Sequence, residues 1–202
     1  MRLVHKATMK NMQTRRQFLA GLGILFGLSA GGWGAIAAKR HTPIQLRPPG
    51  AQTENDFLAA CIRCGLCVEA CPYHTLKLAD ATQFAGIGAP YLSAREVPCY
   101  LCKGFADLKC IAACPTPALQ PVKSLREIRM GVAVINRETC LAWQGTSCRA
   151  CWHACPYPNE AIVLDELGRA LVNEQVCIGC GLCDYACVTE PSSIIVTPRG
   201  NT

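Results

Sequence analysis

Cysteine is the residue type with the clearest chemical content in this chain, because 16 of its 202 residues are cysteine. They form four groups of four that repeat along the chain, and every group ends in a Cys-x3-Cys pair. The first and fourth groups have the regular spacing Cys-x2-Cys-x2-Cys-x3-Cys, whereas the second has seven residues in its middle gap and the third has seven in its first gap. In order, the groups are Cys61, Cys64, Cys67 and Cys71; Cys99, Cys102, Cys110 and Cys114; Cys140, Cys148, Cys151 and Cys155; and Cys177, Cys180, Cys183 and Cys187.

This spacing predicts four [4Fe–4S] clusters, with all 16 cysteines as iron ligands. Three cysteines on one tight loop can bind three irons of a cube, and the fourth cysteine then ligates the neighbouring cluster. A proline follows the last cysteine of groups one to three, where it fixes φ and redirects the chain, while Val188 takes this place in group four. Electron transfer is the chemistry that such clusters provide.

Two other uses of cysteine fit the pattern less well. A disulfide scaffold would leave the repeated quartets unexplained, and cysteines two residues apart cannot pair with each other without strain. Structural zinc normally uses two Cys-x2-Cys pairs separated by a dozen or more residues, which groups one and four lack. No thiol remains for nucleophilic catalysis, and a radical or hydro-lyase enzyme would need a three-cysteine site with one open iron, which is not evident. The sequence therefore predicts an electron carrier and not an enzyme.

The four groups can be combined into two-cluster modules in two ways. Linkers of 27, 25 and 21 residues between the groups are long enough for either a nested or an adjacent arrangement. We expect nesting, group one with group four and group two with group three, because this pairs regular groups with each other and irregular groups with each other. Cys187 would then complete the cluster of the first group, and Cys71 would complete that of the fourth.

The elements that position these cysteines are predicted to be short. Only 5 Phe, 5 Tyr and 3 Trp are available for a core, so the clusters must replace much of the usual side-chain packing. We expect a helical turn after each Cys-x3-Cys pair, a hairpin connection at 165–168, and a turn over 124–130 with Ser124 as its N-cap. The fold class is α+β, with two ferredoxin-like modules. Short apolar stretches predicted as strands lie at 75–78, 132–135, 161–164, 170–173 and 194–197.

The first 38 residues have the layout of an export signal. Five basic residues and no acidic ones precede an apolar, glycine-rich run that ends in Ala35-Ile36-Ala37. Arg15 and Arg16 stand directly before Gln17-Phe18-Leu19, which resembles a twin-arginine signal. A single membrane anchor is the alternative, because about 20 apolar residues can just span a bilayer. Met9 and Met12 are alternative starts.

The domain organisation follows from the changes in composition along the chain. Residues 1–38 form the signal or anchor, 39–50 contain three prolines and read as an extended linker, and 51–202 form the four-cluster domain. The formal charge of +6 comes mainly from the leader, since the remainder has 15 basic and 14 acidic residues. No basic cluster with interleaved aromatics remains, so a nucleic-acid partner is not expected.

Several motifs resemble the NapG/MauM family of ferredoxin-type proteins. They are Leu46-Arg-Pro-Pro-Gly-Ala51 with Glu54 and Phe57, the first cysteine group through Tyr73 with Thr75-Leu-Lys-Leu-Ala79, and the third group with its seven-residue gap. The resemblance runs from the twin arginines to Ile195. The gap between Cys102 and Cys110 is longer than is usual in the family, and the chain stops soon after group four, where relatives can carry a tail.

The resemblance implies electron transfer in the periplasm, possible association with the membrane, and export by the twin-arginine machinery. Electrons would pass from a membrane quinol-oxidising partner that is NapH-like towards a periplasmic nitrate reductase, through a cytochrome or directly. Methylamine oxidation, or a permanent iron–sulfur subunit of another molybdenum oxidoreductase, is the alternative. His74 and His153 lie beside cluster cysteines, where a solvated or hydrogen-bonded histidine is expected before a tuning role.

Overall fold

A computed structural model describes residues 45–81 and 86–199 of the chain. The predicted export signal lies outside the described residues, as do residues 39–44 of the predicted linker. The described part is mixed α and β, with short elements and three two-stranded antiparallel sheets. The helices are α1 Glu54–Ala60, α2 Leu66–Glu69, α3 Lys109–Ala112, α4 Ala150–Ala154 and α5 Leu182–Tyr185. The strands are β1 Leu76–Leu78, β2 Pro90–Leu92, β3 Gly131–Ile135, β4 Ile162–Leu164, β5 Ala170–Val172 and β6 Ile194–Pro198, and a 3-10 turn covers Leu125–Glu127.

The second half of the fold, residues 129–199, has two strand pairs. β3 pairs with β6 from Gly131↔Pro198 to Ile135↔Ile194, and the inner pair β4–β5 is a hairpin. Ala133 and Val196 are buried while Val134 and Ile195 are exposed, which is the alternation expected of a strand pair with one covered face. Helices α4 and α5 pack against each other and against strands β4 and β6 respectively.

The first half, residues 45–81 and 86–128, repeats this plan in reduced form. β1 and β2 make its inner pair, and α2 and α3 pack together. The outer pair consists of one antiparallel bridge between Ala51 and Leu119, next to a hydrogen bond from Gln120 N to Gly50 O of 2.8 Å. The order of elements around the cysteine groups is therefore the same in both halves.

Residues 45–50 belong to the predicted linker, but they pack into the first half. Leu46, Arg47, Pro48 and Pro49 are all buried. Arg47 donates from Nε to Glu54 Oε2 (2.9 Å) and from a terminal nitrogen to Pro90 O (2.9 Å), so it joins this segment to α1 and β2. The prediction of an extended linker is therefore wrong for residues 45–50, because the rings of Pro48 and Pro49 are buried and supply apolar surface to the core.

The five predicted strands, the hairpin connection and the turn capped by Ser124 are all confirmed, whereas β2 was not predicted. The predicted position of the helical turns was wrong. The turns lie within the Cys-x3-Cys pairs and not after them. The proline that follows groups one to three prevents these turns from continuing, because it disfavours helical geometry in the residue before it and has no N–H to donate. Among the described residues, no helix is both long and apolar enough to cross a membrane.

Candidate iron–sulfur cluster sites

The cysteines of the second half surround two cavities. Each cavity is lined by three cysteines of one group and by the last cysteine of the other group. The cavities measure about 390 Å³ and 340 Å³ including their openings to solvent. We number each site by the group that gives three thiols. Site 3 consists of Cys140, Cys148, Cys151 and Cys187, and site 4 consists of Cys177, Cys180, Cys183 and Cys155.

The first half follows the same rule. One cavity of about 350 Å³ is lined by three cysteines of group two and by the last cysteine of group one. The remaining four thiols lie together around Cys67. Burial, followed by the negative charge of the thiols of Cys61, Cys114 and Cys64, raises the pKa of Cys67 to about 11. Site 2 is Cys99, Cys102, Cys110 and Cys71, and site 1 is Cys61, Cys64, Cys67 and Cys114.

The nested pairing of groups expected from the sequence is therefore wrong. Cys187 lies with Cys140, Cys148 and Cys151, so group four pairs with group three and group one pairs with group two. The strand pairs explain this outcome, since β1–β2 and β4–β5 are antiparallel pairs between consecutive groups and bring those groups together. The similar spacing of groups one and four reflects equivalent positions in the two halves and not a shared module.

The donor set of the cavities fits an iron–sulfur cluster. At each of the three cavities all four donors are cysteine, which is the ligand set of a [4Fe–4S] cube. Within the described residues, no three His, Cys, Asp or Glu side chains converge in the manner of a single-ion site. His74 and His153, for which a solvated or hydrogen-bonded position is expected, are both exposed.

Burial governs the electrostatics of most of these thiols. It raises the pKa of Cys99 to about 12, that of Cys180 to about 11 and that of Cys183 well above its ordinary value. A thiolate is thus unfavourable in these sites unless a positive charge accompanies it, and the irons of a cluster supply that charge. Cys64 differs from the others because it is exposed.

Cys187 has a contrasting environment. Burial acts to raise its pKa, but hydrogen bonds to its sulfur from Thr189, Ser192 and the backbone of Ser193 prevail and lower the pKa to about 7. The Thr189 hydroxyl lies 3.2 Å from Cys187 Sγ, and Ser193 N donates to the same sulfur at 3.4 Å. This sulfur is therefore well solvated by the protein in its anionic form.

The two halves meet at sites 2 and 4. Cys99 N donates to Cys180 O at 2.8 Å, which joins the backbones that hold these two sites. Sites 1 and 2 are neighbours, because the thiol of Cys67 adds to the effects of burial and of the site 2 thiols that raise the pKa of Cys110. Sites 3 and 4 are neighbours for the same reason, since the thiol of Cys151 adds to the effect of burial on the pKa of Cys183. The four sites consequently follow one another in the order 1, 2, 4, 3.

Comparison with known proteins identifies the family. A profile of the 4Fe-4S dicluster domain matches residues 60–118, which contain groups one and two. The methylamine utilization ferredoxin-type protein MauM of Paracoccus denitrificans is 42% identical over 96% of this chain and 92% of its own length. The ferredoxin-type protein NapG of Escherichia coli is 41% identical over 89% of this chain and 79% of its own length. The chain belongs to the NapG/MauM family of ferredoxin-type proteins.

The matched domain and the relatives in the NapG/MauM family indicate which cofactor the cysteine-lined cavities bind. The protein is an iron–sulfur electron-transfer protein that carries [4Fe–4S] clusters, and its relatives indicate an electron carrier. The dicluster profile spans groups one and two together, in agreement with the adjacent pairing of the sites.

The polar residues that support the sites are not evident from the sequence alone. Arg95 donates to the carbonyl oxygens of Asp184 and Cys187, both at 2.8 Å, and so connects the first half to the loop after α5. An isolated arginine more than 80 residues from its partners gives no local signal. A local signal was present for Thr189, because a threonine stands two residues after the last cysteine in both group two and group four.

Proposed function

We propose that this chain binds four [4Fe–4S] clusters and relays electrons in the periplasm, from a membrane quinol-oxidising partner that is NapH-like towards a periplasmic acceptor. The observation that carries the proposal is the sorting of all 16 cysteines into four sets of four, in a row that crosses both halves. The clusters supply reversible one-electron transfer.

The residues of the chain bind the clusters, set the spacing between them and exclude water from their sites. Each last cysteine of a group belongs to the neighbouring site, so the two sites of one half are joined by two short Cys-x3-Cys segments. The hydrogen bond from Cys99 N to Cys180 O keeps sites 2 and 4 at a fixed separation. Exposed Cys64 at site 1 gives one end of the row access to the surface.

Iron and sulfide analysis tests the number of clusters. Protein purified without oxygen should hold about 16 iron and 16 acid-labile sulfide per chain, four of each for every cluster. A value near 8 would contradict the proposal, because the irregular groups two and three would then not ligate clusters of their own. Replacing Cys148 by Ser should lower the content by one cluster and leave the EPR signals of the first half unchanged.

Export is tested separately from cluster content. The twin arginines at Arg15 and Arg16 support export of the folded, cluster-loaded protein, since exposed thiols would oxidise to disulfides in the periplasm. Arg15→Lys together with Arg16→Lys should retain loaded protein in the cytoplasm, because lysine keeps the charge and removes the guanidinium pair. Undiminished periplasmic protein would contradict this part of the proposal.

Two pathways fit the relatives about equally well. The NapG relatives suggest a role in the Nap system, with nitrate reductase as the eventual acceptor, and the MauM relatives suggest methylamine utilization. Deletion of the gene followed by growth with nitrate as respiratory acceptor, or with methylamine as substrate, distinguishes them. The wild-type gene on a plasmid is the control, and the Cys148→Ser variant should restore growth poorly in whichever pathway applies.

A further inference from the structure

The loop 187–193, which follows α5, surrounds the sulfur of Cys187 with hydrogen-bond donors. Cys187 belongs to site 3, and an iron-bound sulfur has no proton and can only accept. Thr189 Oγ1 accepts from Ser193 N (2.9 Å) and lies 2.8 Å from Ser193 Oγ. The single hydrogen of Thr189 is then available to Cys187 Sγ at 3.2 Å, with the Ser193 hydroxyl donating to Thr189. Ser193 N donates to the sulfur at 3.4 Å as well.

The equivalent cysteine of the first half has fewer donors. Cys114, the last cysteine of group two, belongs to site 1 and has Thr116 in the position of Thr189. Thr116 Oγ1 is 3.7 Å from Cys114 Sγ, half an ångström further than in the second half. Ala118 takes the place of Ser193, because its N–H donates to Thr116 Oγ1 at 3.4 Å, and it has no side-chain hydroxyl to donate in turn. The two halves thus differ in the polarity around one matched ligand.

Arg95 holds the loop of the second half in place. Besides the carbonyl oxygens of Asp184 and Cys187, it binds Thr189 O at 3.0 Å and the carboxylate of Glu190 at 2.9 Å. With a longer bond to Tyr185 O at 3.4 Å, the guanidinium has five acceptors, which fix the backbone on both sides of Thr189. A residue of the first half therefore positions the donors that face a site of the second half.

We propose that Thr189 and the backbone amide of Ser193 raise the reduction potential of the cluster in site 3 above that of the cluster in site 1, with Arg95 as the positioning residue. Reduction adds negative charge to a cluster, and hydrogen bonds to its sulfurs stabilise that charge. The proposal rests on the four-cluster function proposed above. Thr189 and Ser193 do not bind iron in this proposal. They act on the cluster through hydrogen bonds to the sulfur of Cys187.

The test is a potentiometric titration of the loaded protein followed by EPR. Thr189→Val removes the hydroxyl at nearly constant volume and should shift the midpoint potential of one cluster downwards, namely the cluster whose signal is lost in Cys148→Ser. Thr189→Ser should keep the wild-type midpoint. Thr116→Val is the matched control and should shift the midpoint of site 1 by clearly less.

Arg95→Lys separates the effect of positioning the loop from the effect of the positive charge at residue 95. Lysine retains the positive charge but cannot bind five acceptors in a fixed geometry, so the midpoint potential of the cluster in site 3 should fall while the other midpoints stay unchanged. If Thr189→Val causes a local folding defect, Arg95→Lys still gives an independent measurement of the same midpoint potential.

The outcomes distinguish the two proposals. Unchanged midpoints in both Thr189→Val and Arg95→Lys, or an equal shift in Thr116→Val, overturn the role of the loop and leave the four-cluster function intact. Absence of any signal that depends on Cys148 overturns the proposed cluster count, and the inference falls with it.

Discussion

In the second half of the fold, β3 and β6 pair over five residues outside the cluster sites, whereas the first half has a single bridge between Ala51 and Leu119 in the same place. The first half compensates with side chains. Arg47 and Glu54 form an ion pair with only 6% and 13% of their side chains exposed, and the guanidinium lies 5.1 Å from the centre of the Phe57 ring. One topology is thus closed by backbone pairing in one half and by a buried arginine in the other.

This difference predicts that the first half depends on one side chain more than the second half does. Arg47→Met leaves the largely buried Glu54 carboxylate without its partner, and breaking a buried pair in this way typically costs about 3–5 kcal/mol. Amide hydrogen exchange in β1 and β2 should accelerate more than about a hundredfold, since 1.4 kcal/mol corresponds to a factor of ten.

A matched substitution in the second half provides the control. Arg169→Met breaks the more exposed pair between Arg169 and Asp165 in the β4–β5 hairpin and should change exchange in β4 and β5 far less. Equal acceleration in both variants would show that the buried pair is not what closes the first half. The double variant Arg47→Met with Glu54→Leu should recover part of the loss, because no buried charge then remains unpaired.

The sequence was informative where the signal is local and uninformative where it depends on distant contacts. Cysteine spacing gives the ligand groups, and alternating apolar residues give five of the six strands. The predicted pairing of groups is wrong because similar spacing marks equivalent positions in two copies of one topology and carries no information on which groups associate. The packing of Arg47 could not be predicted, because its partners Glu54 and Pro90 are brought together only by the fold.

The glycines of the two regular groups sharpen the comparison further. Gly65 and Gly181 occupy the same position before α2 and α5, and both have positive φ, +77° and +86°. A Cβ on Gly65 would have no neighbour nearer than Leu78 Cδ1 at 4.0 Å, whereas a Cβ on Gly181 would lie 2.5 Å from Ala94 Cβ. The second half is therefore the more tightly packed at this turn, and Ala94 belongs to the first half.

Alanine substitutions measure this difference. Gly65→Ala should cost about 1–2 kcal/mol from the left-handed backbone alone. Gly181→Ala adds overpacking, typically about 1–3 kcal/mol, so its cluster absorbance should be lost at a clearly lower temperature on heating. Equal midpoint temperatures for the two variants would mean that Ala94 moves aside at no cost in free energy and that the two halves are equally well packed at this turn.

The smallest expected difference concerns access to the clusters themselves. Cys64 of site 1 is exposed, whereas the three group-four cysteines of site 4 (Cys177, Cys180 and Cys183) are all buried. Solvent and chelators reach a cluster most readily through an exposed ligand, so site 1 should lose iron several-fold faster than site 4, a difference on the order of 1 kcal/mol in the barrier. Brief treatment with a chelator without oxygen, followed by alkylation of released thiols and mass spectrometry, should label Cys64 and its three partners first. If the site 4 cysteines were labelled at the same rate, loss would be governed by opening of the whole fold and not by exposure at the first half.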